Sequence, residues 1–292
     1  MSILDVSAKK VRLESYKGFL RIISDEQEQD IPFDVLDALI IFSYDCSYTH
    51  FLLQRFCEQN IPLIICSQNA MPVGILSSVQ QNVLRKQRVE IQTTVKASVK
   101  HRLWQQIIQK KIENQAGFLK YLGQNVNDLN YLKTQVLPND THNSEGVAAR
   151  IYWQKLFGSN FRRDPDASGL NSLLNYGYIV IRATFCRCIT ASGLLPELGL
   201  HHQNQFNPFC LSDDLIEPYR VFVDKQVNQI ADVSSSILLS PDIKKKLVAV
   251  LDAEVKMDGQ KYHLRNAIQK TVESLINIFE KKETSLKLPS FS

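Results

Sequence analysis

Val11-Arg12-Leu13-Glu14-Ser15-Tyr16-Lys17-Gly18-Phe19-Leu20-Arg21-Ile22-Ile23 alternates apolar and polar residues on either side of Lys17-Gly18. That pattern predicts two strands joined by a tight turn, each with one face in a core. Working outward, Val35 to Phe42, interrupted by Asp37, and Leu63 to Cys66 are apolar runs of strand length, read as buried strands. Between them, Leu52, Leu53, Phe56 and Cys57 recur at helical spacing from Thr49 to Gln59. Met71-Pro72-Val73-Gly74-Ile75-Leu76 reads as a last turn and strand.

After about residue 80 the pattern changes to long helices with few breakers. Leu173 to Ser192 is apolar and long, but Arg182 and Arg187 interrupt it, so it reads as a buried helix rather than a membrane span. Leu137 to Ser144 and Gly158 to Pro165 read as loops, and the polar tail Glu283–Ser292 as a mobile end. The expected class is α+β: a small β-rich N-terminal domain over residues 1–84, then a larger all-α catalytic domain over 85–292.

Charge is divided unevenly. The net charge is +4, yet residues 1–85 hold 7 Lys/Arg against 10 Asp/Glu, and the remainder holds 27 against 20. A polyanion would therefore meet the C-terminal part, where Arg85 to Lys120 carries nine basic residues and two acids; a solvated helix face is the plainer reading. The start of the chain has no basic segment followed by an apolar core, and no apolar stretch free of charge is long enough to span a bilayer. Six dispersed cysteines without a CxxC pair read as free thiols in a reducing cytoplasm.

Three places bring acids or imidazoles beside loops. Glu145 opens a helical run, where a glutamate can simply complement the helix dipole. His201-His202 follow Gly199-Leu200, and as neighbours on a loop at most one would ligate a given ion. Asp214 and Glu217 are three apart and share a face if helical, although Asp-x-x-Glu is also a capping arrangement. Two or three carboxylates with one imidazole form a donor set for Mg²⁺ or Mn²⁺. Spacing alone reaches no further than a possible metal-dependent phosphodiester enzyme.

The wording of these segments adds to that reading. Glu145-Gly146-x-x-Ala149-Arg150-x-Tyr152 is followed by Asn171-x-x-Leu174-Asn175-Tyr176-Gly177-Tyr178 and Gly199-Leu200-His201-His202. Asn207-Pro208-Phe209-Cys210-Leu211-Ser212-Asp213-Asp214-Leu215-Ile216-Glu217-Pro218-Tyr219-Arg220 closes the series. From Glu145 to Arg220 the chain closely resembles the CRISPR-associated integrase family, the first-named protein of that system, in its type II form. The resemblance implies a β-rich domain before a helical one, and a metal triad on Glu145, His202 and Glu217. His202 is preferred to His201 because the family reads Gly-x-x-His. The third ligand is aspartate in many relatives and Glu217 here. Asp214 matches a further acid, as a second ligand or an orienter, and Arg150 and Arg163 match basic residues expected to hold DNA phosphates.

By the same resemblance the activity is insertion of captured DNA fragments into the CRISPR array, a 3′-hydroxyl attacking a phosphodiester with Mg²⁺ or Mn²⁺. The implied partners are double-stranded DNA, a second copy in a homodimer, and a small CRISPR-associated partner dimer in a heterohexamer. Two alternatives stay open: a metal-dependent endonuclease on branched DNA, and a non-catalytic DNA-binding subunit whose glutamates are only caps.

Overall fold

A computed structural model of the 292-residue chain describes residues 2–6, 10–25, 27–66, 72–76, 78, 85–233 and 238–291. The predicted hairpin forms as β2 (Lys10–Tyr16) and β3 (Phe19–Ser24), antiparallel from Val11↔Ser24 to Tyr16↔Phe19. Lys17 and Gly18 both take positive φ, as a two-residue hairpin turn requires. β4 (Glu28–Pro32) joins β3, and β6 (Asp45–Tyr48) lies parallel to β2, giving the order β4-β3-β2-β6. A second sheet has the order β1-β5-β7-β8, from β1 (Ser2–Val6), β5 (Leu36–Ile41), β7 (Leu63–Cys66) and β8 (Pro72–Leu76). α1 (His50–Glu58), capped by Thr49 Oγ1 on the Leu52 N–H, connects β6 to β7.

β5 carries apolar residues on both of its faces. Leu36, Leu39 and Ile41 face a core shared with Leu13, Leu20, Leu52 and Phe56. The alternate residues Ala38 and Ile40, with Ile64 of β7, face the core of the helical part. Both faces are therefore covered, and alternation of polar residues would have buried charge.

The helical part consists of α2 (Arg85–Thr94), α3 (Ala97–Tyr121), α4 (Asn127–Gln135), α5 (Ser144–Phe157), α6 (Leu170–Ala191), α7 (Cys210–Ile216), α8 (Arg220–Val233), α9 (Pro241–Val248) and α10 (Leu264–Phe279). Two expectations need correction here. The C-terminal part is not all-α: β9 (Glu254–Met257) and β10 (Gln260–His263) pair around Asp258-Gly259. That sequence carries an Asp-Gly turn between alternating residues, a signal available without the structure. Nor is the tail a loose end. Asn114 donates to the Pro289 carbonyl at 3.0 Å and accepts the Phe291 N–H at 3.0 Å, and the Phe291 ring stacks on Phe222 and lies tilted against Phe118.

α3 is the central element. It buries Leu103, Trp104, Ile107, Ile108, Ile112 and Leu119, and among them the polar Lys111, Asn114 and Gln115. α6 meets α8 at Gly177, where an added Cβ would lie 2.3 Å from Val223 Cγ1. Only glycine permits that approach, and it sets Tyr178 of α6 beside Asp224 of α8. Among the described residues no helix is long and apolar enough to cross a membrane, and all six cysteines are free thiols.

Candidate active site

Glu145 lies in the first turn of α5, but the helix is capped by others. Asn143 Oδ1 accepts the Gly146 N–H at 3.2 Å, and the two oxygens of Asp140 accept the N–H groups of Ser144 and Glu145 at 2.9 Å each. Asn139, Asp140 and Asn143 reach these positions at positive φ, which Asn and Asp tolerate better than other side chains. With the orphan donors satisfied, the Glu145 carboxylate is released from capping and Oε1 takes the ammonium of Lys111 at 2.5 Å.

Glu217 opens a 3-10 turn, Glu217–Tyr219, directly after α7. It is buried, and Asn114 of α3 fixes the turn by donating to the Pro218 carbonyl at 2.8 Å. Oε1 accepts Arg220 Nε at 2.9 Å. Oε2 is buried 2.5 Å from Lys111 Nζ, and the ammonium is its ion-pair partner. Burial opposes ionisation of Glu217, but Arg220 and Lys111 outweigh it and hold the carboxyl well below its ordinary range. Burial likewise acts to lower Lys111, and Glu217 and Glu145 overcome it and raise the ammonium.

The loop Gly199–His202 is organised by Asp214 of α7, which is fully buried. Its carboxylate accepts the N–H groups of Leu200, His201 and His202 at 2.5, 3.0 and 3.2 Å, and His202 Nδ1 at 2.6 Å. A Cβ at Gly199 would fall 2.4 Å from the His202 carbonyl oxygen and 2.8 Å from Asp214 Oδ2. The His201 ring stacks on Trp104 at 4.3 Å, while His202 meets the same indole edge-on. The hydrogen bond from Asp214 raises His202 against the effect of burial; burial lowers His201.

Glu145 and Glu217 share a cleft of about 380 Å³ with Lys111, Gln115, Arg163, Tyr178, Arg220 and Asp224. His202 instead lines a cavity of about 590 Å³ with Lys100 and the loop Gln203–Pro208. The charge of Glu217 still reaches His202 and helps to raise it. Among the described residues no three His, Cys, Asp or Glu side chains stand close enough together to hold an ion as they are. Asp214 has spent both oxygens inside the loop, which suits an orienter. Arg163 reaches the cleft, with its guanidinium on Asn171 Oδ1 at 2.9 Å and Asn175 Oδ1 at 2.5 Å, whereas Arg150 is exposed on α5 and lines neither cavity. The basic segment of α3 divides: Lys110 pairs with Glu113, and Lys111 turns inward.

Sequence reasoning missed Lys111, Gln115, Tyr178 and Asp224 as parts of this site. Asp224 is buried and accepts the hydroxyls of Tyr152 at 2.8 Å and Tyr178 at 2.5 Å. The available signal was a lysine and two amides among the apolar positions of α3, where a solvated face would have placed them outward. The donor chemistry fits a hard divalent cation. Two carboxylates from different elements already share one positive charge, and both offer oxygen donors.

A helical cleft in which two carboxylates meet at one ammonium, beside a β-rich part, defines a class that comparison with known proteins makes specific. The family model described as CRISPR associated protein Cas1 matches residues 4–236, and the chain belongs to that family. It is 32% identical over 282 residues to the CRISPR-associated endonuclease Cas1 of Neisseria meningitidis serogroup C, covering 95% of this chain and 92% of that protein. Its fold is similar to that of a casposase bound to integration product, with a TM-score of 0.83 at 20% identity over 100% of this chain and 93% of that one. It is also similar to a chain of a Cas6-RT-Cas1–Cas2 complex, with a TM-score of 0.79 at 20% identity over 97% of this chain and 35% of that one.

Proposed function

We propose that this protein joins captured DNA to a CRISPR array as a metal-dependent integrase, with Glu145, His202 and Glu217 as the ligands of Mg²⁺ or Mn²⁺. The observation that carries the reading is the shared cation position between Glu145 and Glu217, carboxylates from separate elements meeting at one ammonium. Family membership, and the names of the endonuclease and casposase relatives, support DNA as substrate.

In this reading Glu145 and Glu217 would hold the ion through oxygen, and His202 would offer Nε2, since Asp214 occupies Nδ1. The bound ion supplies Lewis-acid charge to the phosphoryl group and to the attacking and leaving oxygens. Arg163, at the edge of the cleft, holds a phosphate, whose oxygens a guanidinium binds in two-pronged fashion. The reaction exchanges one phosphodiester for another: the 3′-hydroxyl oxygen bonds to phosphorus, the target strand's 3′-oxygen departs, and the proton passes from the first to the second through solvent. Arg220 neutralises Glu217 on the side away from Lys111 and keeps it ionised for that task.

A homodimer on double-stranded DNA, joined by a small partner, extends the same proposal. It is supported by the Cas2-containing complex among the structural neighbours and by the positive excess after residue 85.

The test is a branched DNA that mimics the half-integrated product, offered with Mn²⁺, Mg²⁺ or chelator to wild type and Glu145→Gln. A rejoined target strand that requires metal and is lost in the variant, with DNA binding retained, is the expected result. Cleavage without rejoining would assign a branched-DNA nuclease instead. Full activity in Glu145→Gln would reduce that residue to a structural role.

A further inference from the structure

Lys111 occupies the place where the proposed metal would have to sit. Its side chain is about nine-tenths buried, and Nζ lies 2.5 Å from both Glu145 Oε1 and Glu217 Oε2. A Mg²⁺ ion lies roughly 2.1 Å from its oxygen ligands. Two oxygens already in contact with one ammonium cannot share such an ion as well, because the two cations would overlap and repel. The metal-free and metal-bound proteins therefore require different positions for Lys111.

The same helix provides the second position. Gln115 follows Lys111 by four residues on α3, so the two side chains lie on one face. Gln115 is buried and lines the same cleft, and its Oε1 has no hydrogen-bond partner. A bare buried carbonyl is costly, and an ammonium moved one helical turn would satisfy it.

We propose that Lys111 is a resident placeholder cation: it holds Glu145 and Glu217 together before metal arrives, and moves onto Gln115 when a divalent cation takes its seat. The inference rests on the metal-site reading above and adds a component that reading does not need. It assigns Lys111 two tasks. Before loading, it prevents two carboxylates in a poorly solvated cleft from repelling each other apart. On loading, it makes the site choose between one charge and two, so only a divalent ion able to outbid the ammonium enters.

A lysine that only braced the site would weaken metal binding when lost. A placeholder that the metal must displace strengthens metal binding when lost, even though the metal-free site is then less stable. The experiment measures Mn²⁺ alone, counted by paramagnetic resonance of the free ion, on the full-length wild type and on Lys111→Met, Lys111→Gln, Gln115→Leu and Glu145→Ala. Lys111→Met and Lys111→Gln should bind Mn²⁺ at least tenfold more tightly than wild type. In chelator they should melt at lower temperature, and Mn²⁺ should raise their melting temperature by more than it raises that of wild type. Gln115→Leu should weaken Mn²⁺ binding, and should do so only while Lys111 is present.

Affinity unchanged or weaker in Lys111→Met overturns the placeholder, and Lys111→Gln decides the matter should the methionine variant fail to fold. Wild-type Mn²⁺ binding that survives Glu145→Ala undiminished overturns the metal site itself, a result separable from the first because it does not involve Lys111.

Discussion

The buried carboxylate of Asp214 accepts the Nδ1 proton of His202 at 2.6 Å while it closes three backbone N–H groups of the same loop. A carboxylate can only accept, so neutral His202 carries its proton on Nδ1 and its lone pair on Nε2. Asp214→Asn should therefore lower Mn²⁺ affinity and joining rate by about 10–100-fold, the usual cost of losing a group that orients a ligand. The pH dependence has a definite sign. Asp214 raises His202, so the neutral ligand forms only as pH rises past that raised value, and removing the charge should move the acid limb of the rate profile to lower pH. By the same linkage, stability from the protonated His202–Asp214 pair is complete below the ordinary histidine range and is lost as pH rises through the folded value. A rate profile with an unmoved acid limb in Asp214→Asn would count against His202 as a ligand.

Glu145 and Glu217 should separate when activity and stability are measured together. Either change to alanine should reduce joining by on the order of 10³-fold or more if both hold the ion. Only Glu217 is deeply buried, with Arg220 and Lys111 both committed to it. Removing one partner of a buried ion pair leaves charge behind, and Glu217→Ala should cost about 3–5 kcal/mol of unfolding free energy. The Glu145 side chain is 30% exposed, and Glu145→Ala should cost clearly less. Urea melts of the two variants in chelator decide this; equal losses would contradict the burial argument.

What the sequence could show follows from where the determinants lie along the chain. The hairpin around Lys17-Gly18, the strand Leu63–Cys66 and the helix after Thr49 are local patterns, and they were readable. The ion pair from Arg182 to Asp213, at 2.5–2.6 Å, shows why a charge could sit in an apolar helix, but its partner is 31 residues away. Lys111 was hard to read for a sharper reason. In a segment with nine basic residues its own charge looks like one more solvated face; its place among the apolar positions of α3 was the one hint, and the folded positions of Glu145 and Glu217 give its role. The tail misled because polar composition predicts loose ends, whereas distant groups hold it: Asn114 and Thr271 on its backbone, and Phe118 and Phe222 on the Phe291 ring.

Asp224 should make the protein less stable as pH rises through mild acid. Burial raises its carboxyl from 3.8 to about 6, against the opposing donations of Tyr178 and Tyr152. Between those values the folded state holds a proton that the unfolded chain has lost, so unfolding free energy falls as pH rises across that interval. A shift of this size corresponds to about 3 kcal/mol. Asp224→Asn removes the titration, and the stability of wild type relative to the variant should fall by about that amount between roughly pH 4 and pH 7. Parallel curves from chemical denaturation across that range would show that Asp224 does not titrate there.

The tail is the last test, because it connects the end of the chain to the proposed site. Asn114 donates both to Pro218, next to Glu217, and to Pro289, and it accepts the N–H of Phe291. Thr271 joins the same assembly: its hydroxyl contacts Tyr219 at 2.7 Å and donates to the Lys287 carbonyl at 2.5 Å. One amide thus fixes the turn carrying Glu217 and the strand-like end of the chain together. Phe291 is only partly buried, so Phe291→Ala should cost about 2 kcal/mol, less than the roughly 3–5 kcal/mol of a fully enclosed ring. Deleting residues 286–292 removes these contacts together and leaves one Asn114 N–H and its Oδ1 unmet beside Glu217. The deletion should lower joining activity by more than Phe291→Ala does at a temperature where both variants remain folded. Activity kept at the wild-type level by the folded deletion variant would confine the tail to a packing role.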